Sequence, residues 1–299
     1  MTNPSSHAAH THPDAHAHHT AHAHPDAHST PDSHDQVELL DLDAEVLAEH
    51  TDSITAWLPL KSAPRHILDL GCGTGAGTFA LLARFPEAEV TAVDVSPSHL
   101  HRLREKAEEL GVADRVRTVP ADLDADWPAL GRPDLVWGSA SVHHMADPDR
   151  ALSKVHDLLS PGGLFAVVEL AGFPRFLPDD APQERPGLED RCHAALEHHH
   201  AEHVPHRGAD WGPRLTAAGF TVEGERSITV HIEGSDDQSV GRYAWSSLKR
   251  LRAGVSDVLA AEDLSALDRL LDTDSPQSIL RRRDLAVRTE RTVWAARRA

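Results

Sequence analysis

Asp69-Leu70-Gly71-Cys72-Gly73-Thr74-Gly75 places one carboxylate and three glycines within seven residues. Glycine is needed where a backbone must turn tightly and approach a ligand closely. A second acid, Asp94, ends the next apolar run, Glu89-Val90-Thr91-Ala92-Val93. It lies about 20 residues beyond the loop, the spacing of an acid that grips ribose hydroxyls. A third, Asp122, follows Val119-Pro120-Ala121. A carboxylate there can accept from an adenine amine while Leu123 packs on the ring. The constellation reads as a site for a nucleoside cofactor. Two histidines, His143 and His144, follow another apolar run, Leu135-Val136-Trp137, and are the best candidates to take a proton from a reacting group.

The elements that must position these residues alternate. Strands are predicted at 66–70, 89–94, 115–119, 133–138 and 163–170, with helices near 75–85, 97–110, 124–130 and 148–159. Pro97 suits the first turn of its helix with Ser96 as N-cap, and Ser160-Pro161-Gly162-Gly163 stops the fourth helix. This rhythm predicts an α/β fold with a doubly wound parallel sheet and ligands at the carboxyl ends of its strands.

Around that core, from 65 to 170, the chain divides further. Residues 1–35 form a low-complexity tail with ten histidines (His7, His10, His12, His16, His18, His19, His22, His24, His28 and His34) and little to bury, so disorder is expected. Its imidazoles suit weak divalent-metal binding without a defined site. Residues 36–64 carry a cap helix over 36–60, limited by Pro59. Residues 171–207 read as a lid insertion with a helix at 188–203. Residues 208–299 supply a short helix (209–218), strands at 220–232 and 287–297, and a helical insertion, 238–283.

Composition narrows the partners. Acidic residues outnumber basic ones 47 to 29, for a formal charge of −18, which disfavours nucleic acid. Two cysteines, Cys72 and Cys192, are too few for a disulfide framework or a cysteine zinc site. No apolar run approaches the ~20 residues of a membrane span, and the N-terminus lacks a signal-peptide pattern. A cytoplasmic location without membrane association is the expectation.

Between the strands, Ala121-Asp122-Leu123, Asp134-Leu135-Val136-Trp137 with Ser141-Val142-His143-His144, and Leu159-Ser160-Pro161-Gly162-Gly163-Leu164 accompany the glycine loop and Asp94. With these motifs the chain resembles the class I S-adenosylmethionine-dependent methyltransferases, over about 65–170 and more loosely in the final strands. The later segments are similar to small-molecule enzymes of the quinone-biosynthesis and trans-aconitate kind. The resemblance implies a Rossmann-like, seven-stranded sheet whose last strand is antiparallel, with S-adenosyl-L-methionine as cofactor. Carried over by motif, Asp69, Gly71, Cys72, Gly73, Thr74 and Gly75 would hold the methionine end. Asp94 would take both ribose hydroxyls, with Val95, Asp122 and Leu123 at the adenine and Ser139 near the sulfonium.

Methyl transfer from a sulfonium is an in-line displacement, so the protein chiefly aligns the acceptor and excludes water. A base is required only for an acceptor that arrives protonated, and His143 or His144 would serve. The acceptor is expected to be a small molecule. Arg175, Arg191 and Arg207 are candidates to clamp an anionic one; Arg175, Arg191 and His193 form the expected acceptor set. His199 and His203 have chelating i, i+4 spacing, but without an H-E-x-x-H signature the helix reads as a solvated polar face. Two other readings stand beside this one: an NAD-type oxidoreductase, disfavoured by Asp69 beside the loop, and a metal-handling protein acting through its tail.

Overall fold

Five parallel strands run out from the centre of the sheet: β1 (His66–Leu70), β2 (Glu89–Asp94), β3 (Val116–Pro120), β4 (Leu135–Ser139) and β5 (Leu164–Leu170). Two long strands, β6 (Phe220–Glu233) and β7 (Ala286–Arg298), complete the order β3-β2-β1-β4-β5-β7-β6. β7 is antiparallel to both β5 and β6, as expected for the last strand. The computed structural model describes residues 33–200, 206–234 and 238–299, so nearly all of the histidine tail and the His203 position lie outside the described residues.

The central strands β1, β4 and β5 are buried nearly throughout because helices cover both faces, whereas the edge strand β3 is largely uncovered. On one face Ile67, Leu81, Leu82, Leu100, Leu103, Trp137 and Val168 form a buried layer. On the other, Leu68, Leu70, Val136, Leu152, Val155, Phe165 and Trp211 form a second. The helices start where the sequence places their caps. α4 (Pro97–Glu109) has Ser96 accepting from the His99 N–H, and α5 (Pro148–Leu158) has Asp147 accepting from the Arg150 N–H.

Three expectations need correction. The 36–60 helix is two, α1 (Ser33–Val46) and α2 (Ala48–Trp57), the first beginning inside the expected tail. No proline or glycine breaks it. Leu47 turns into the core, and the halves pack on different partners, α1 against α4 and α2 against α3 (Ala76–Arg84). The expected helix at 124–130 is a loop. Pro128 has no N–H to donate and restricts Trp127, while Arg150 and Lys154 side chains satisfy the carbonyls of Asp124 and Ala125. The 238–283 insertion is α8 (Gln238–Gly254) and α9 (Ala261–Leu271) with a single 3-10 turn at Ile279–Arg281.

α1, α8, α9 and α6 (Leu188–His200) pack on one another as a helical cap. α6 is fastened by two buried acids. Glu189 accepts from the backbone N–H groups of Phe176 and Leu177, and Asp263 of α9 accepts from Arg185 and Arg191. Asp43 of α1 receives the Tyr243 hydroxyl at 2.6 Å and the Arg291 guanidinium at 3.0 Å. The cap is thereby tied to the strand beside β5.

Candidate active site

The strand order reverses between β1 and β4, and the loops leaving these two strands meet there. Gly71, Gly73 and Gly75 have φ of 68°, 52° and 96°, values that side chains beyond glycine rarely adopt. At Gly71 a Cβ would also come within 2.5 Å of Ser141 Cβ. The loop after β4 approaches this closely because Ala140 reverses the chain at φ 49°, the only positive non-glycine φ among the described residues. Such a conformation costs roughly 1–2 kcal/mol.

The glycine loop and Asp94 are joined directly. The Gly73 N–H donates to Asp94 Oδ2 at 2.9 Å, the Ser96 N–H donates to Oδ1 at 2.8 Å, and His99 Nδ1 lies 3.2 Å from Oδ1. Burial alone would raise the Asp94 carboxyl, but these hydrogen bonds outweigh it and hold the group below its ordinary value. Three of the carboxylate's four acceptor positions are filled, and the last is on Oδ2. Beside it Val95 is 67% exposed, an apolar surface at the carboxyl end of β2.

Asp69 is buried, and the Thr78 hydroxyl donates to it at 2.6 Å. Burial, opposed by Thr78 and assisted by the Asp94 charge, raises its carboxyl to about 7. Cys72 is buried too, and burial pushes its thiol well above its ordinary value. Thr74 is buried under α1, where Asp41 bridges to Arg102 and Lys106 of α4 and Leu40 overlies Gly73. Asp122 is exposed and caps its own turn by accepting from the Asp124 N–H. Leu123 is half-buried, with its carbonyl accepting from Trp127 Nε1.

Ser139 ends β4, and the next turn carries Val142, His143 and His144. His143 is 2% exposed. Its Nδ1 lies 2.5 Å from Oε2 of Glu169, while Glu169 Oε1 accepts from the N–H groups of Val142 and His143 at 2.9 and 3.2 Å. A carboxylate can only accept, so Nδ1 carries a proton, and in the neutral ring the lone pair lies on Nε2. Nε2 is buried without a hydrogen-bond partner. His144 is exposed, its ring 4.1 Å from that of His143. Glu169 was not among the residues expected here. Its signal was an acid closing an otherwise apolar strand, the same pattern that marked Asp94.

The expected acceptor residues separate. Arg175 pairs with Asp190, and Arg191 makes two hydrogen bonds to Asp263. Both therefore fasten the cap. His193 is buried with Nε2 unpartnered, 3.8 Å from Glu189 and so beyond hydrogen-bond reach.

A family model described as a methyltransferase domain matches residues 68–165, the stretch from the glycine loop to β5. Residues 68–165 thus match a methyltransferase domain. Trans-aconitate 2-methyltransferase of Methylobacterium radiotolerans is 39% identical over 114 residues, 38% of this chain and 41% of the relative. Malonyl-[acyl-carrier protein] O-methyltransferase of Laribacter hongkongensis is 37% identical over 116 residues, 37% of this chain and 39% of the relative. The match thus spans about two fifths of the length of each relative. A solved structure from Bacillus halodurans C-125, assigned as a methyltransferase, shares the fold with a TM-score of 0.53 at 19% identity, over 84% of this chain and 99% of that one.

The residues of the methyltransferase domain fit an adenosyl sulfonium. Asp94 stays ionised with an acceptor position open beside the exposed Val95, and Asp69 lies behind the loop, bonded to Thr78. A cavity of about 400 Å³ bordered by His66, Glu89, Arg115 and Arg132 lies at the opposite, amino ends of β1–β3, where open α/β sheets do not bind ligands. No helix of the described residues is long and apolar enough to cross a membrane.

Proposed function

We propose that this chain transfers a methyl group from S-adenosyl-L-methionine to a small-molecule acceptor, with His143 as the base and Glu169 as its positioning residue. The observation that carries the reading is the 2.9 Å hydrogen bond from Gly73 to Asp94, which brings glycine loop and strand-end acid together at the β1/β4 crevice. Asp94 with Val95 would receive the ribose and adenine, Asp122 and Leu123 the far side of the adenine, and Asp69 with the 71–75 backbone the methionine end. Bound there, the sulfonium supplies an activated methyl group to an incoming lone pair. The chain's own residues then align the acceptor, exclude water and remove a proton where the acceptor carries one.

The two relatives named above differ in acceptor, one trans-aconitate and one a malonyl group on a carrier protein. Acceptor identity must therefore be read from the cap, which the family match does not reach.

Calorimetry with S-adenosylhomocysteine tests the reading. Micromolar binding is expected for the natural chain. Asp94→Asn, which removes the charge but keeps the shape, should weaken it by about tenfold or more. Absence of binding to the natural chain would sink the cofactor assignment, and an unchanged Asp94→Asn affinity would place the ribose elsewhere.

A further inference from the structure

A second group of buried nitrogens lies under the cap, and its reading rests on the methyltransferase function above. Phe173, just beyond β5, is its centre. The Arg207 guanidinium stacks over the Phe173 ring at 3.9 Å, and the His193 ring lies 5.9 Å from it. Arg207 Nε and Nη1, His193 Nε2 and His143 Nε2 are all buried without a hydrogen-bond partner. Other cations of the cap are answered: the partly exposed Arg185 and Arg191 meet Asp263, and the buried Arg291 meets Asp43. Among the described residues, no carboxylate forms an ion pair with Arg207. Burial depresses its charged form, the Arg250 charge adds to that, and the charges of Glu169 and Glu197 offset it in part.

A half-buried guanidinium with two buried, unanswered nitrogens is costly, and a carboxylate is the group that best answers it. Glu169 also lies within electrostatic reach of Arg207 while it holds His143. Arg207 stacks on Phe173, three residues past β5, and β5 carries Glu169, which holds His143, so the anchor and the base are both set at the carboxyl end of β5. A base is needed only where the reacting group arrives protonated.

We propose that the acceptor is a small hydroxy acid whose carboxylate is anchored by Arg207 and His193 and whose hydroxyl meets His143 Nε2. The O–H bond breaks with its proton going to Nε2, the oxygen bonds the methyl carbon, and the C–S electron pair stays on sulfur. The imidazolium is held by Glu169 until its proton leaves to water.

The full chain, loaded with S-adenosylhomocysteine, is titrated calorimetrically with 2-hydroxybenzoate, 4-hydroxybenzoate, malate and citrate, and with the corresponding neutral amides. At least one acid should bind with a Kd below about 1 mM, and its amide about tenfold or more weaker. Arg207→Gln should weaken the acid about tenfold or more while S-adenosylhomocysteine affinity is retained. Acids that all fail to bind, acid and amide of equal affinity, or an Arg207→Gln chain that binds the acid as before would each overturn the carboxylate anchor. Failure of S-adenosylhomocysteine to bind the natural chain would overturn the methyltransferase reading instead. Should Arg207→Gln not fold, Arg207→Lys keeps the charge and carries the test, since it should retain the preference for acid over amide.

Discussion

Glu169 holds His143 from two directions. One carboxylate oxygen receives the imidazole at 2.5 Å and the other receives the backbone of the same turn. The ring is thus fixed in one tautomer by a residue that is its neighbour across the β4–β5 pair, 26 positions along the chain. The helical cap is anchored beside the end of β5, through Asp43 and the Arg291 of β7 that pairs with Leu170.

Glu169→Gln should therefore separate catalysis from binding. The amide still accepts from the Val142 N–H but no longer stabilises an imidazolium. Turnover, read as S-adenosylhomocysteine release, should fall by about 10²-fold or more, and its pH profile should move. Cofactor affinity should stay unchanged. Equal losses in affinity and turnover would make the pair purely structural.

Asp69 gives the chain a pH signature. Its carboxyl sits at about 7 in the fold against 3.8 as an ordinary carboxylate, raised chiefly by burial. Between those values the folded state keeps a proton that the unfolded state has released. Stability from this group is therefore fully present below about pH 4, falls as pH rises, and levels off above about 7, with a slope of at most about 1.4 kcal/mol per pH unit. Asp69→Asn keeps an acceptor for Thr78 and should remove that slope. Urea unfolding of both proteins from pH 5 to 8 checks it. Parallel curves would show that Asp69 is already ionised in the fold.

Asp263 is buried and receives Arg185 and Arg191, whose side chains are 35% and 41% exposed. Because the arginines are partly screened by water, Asp263→Ala should cost only about 1–2 kcal/mol. Its larger effect should be local: hydrogen exchange in residues 188–197 should quicken, and acceptor turnover should drop while S-adenosylhomocysteine affinity holds. Unchanged exchange there would mean that α6 is held by Glu189 and apolar packing alone.

The loop at 71–75, the acid at Asp94 and the order of strands and helices were legible in the sequence because each depends on local chemistry. Glycines mark positive φ, an acid after an apolar run marks a strand end, and Ser96-Pro97 marks a helix start. The helix expected at 124–130 failed because apolar residues near Trp127 suggested a period that Pro128 interrupts. The arginines divided for a different reason. Arg175, Arg191 and Arg207 look alike in sequence, and only packing decides that the first two meet Asp190 and Asp263 while the third lies half-buried over Phe173.

By itself the amino-acid order determined the class of fold and the meeting of the glycine loop with Asp94, since turn geometry and apolar periodicity act over a few residues. The tertiary structure alone decided which acid partners His143, which cations remain unanswered, and how α1, α6, α8 and α9 roof the strand ends. Those contacts join residues up to 248 positions apart, as Arg291 and Asp43 are. Their energies depend on burial and on charges brought near by folding, neither of which any short stretch of sequence contains.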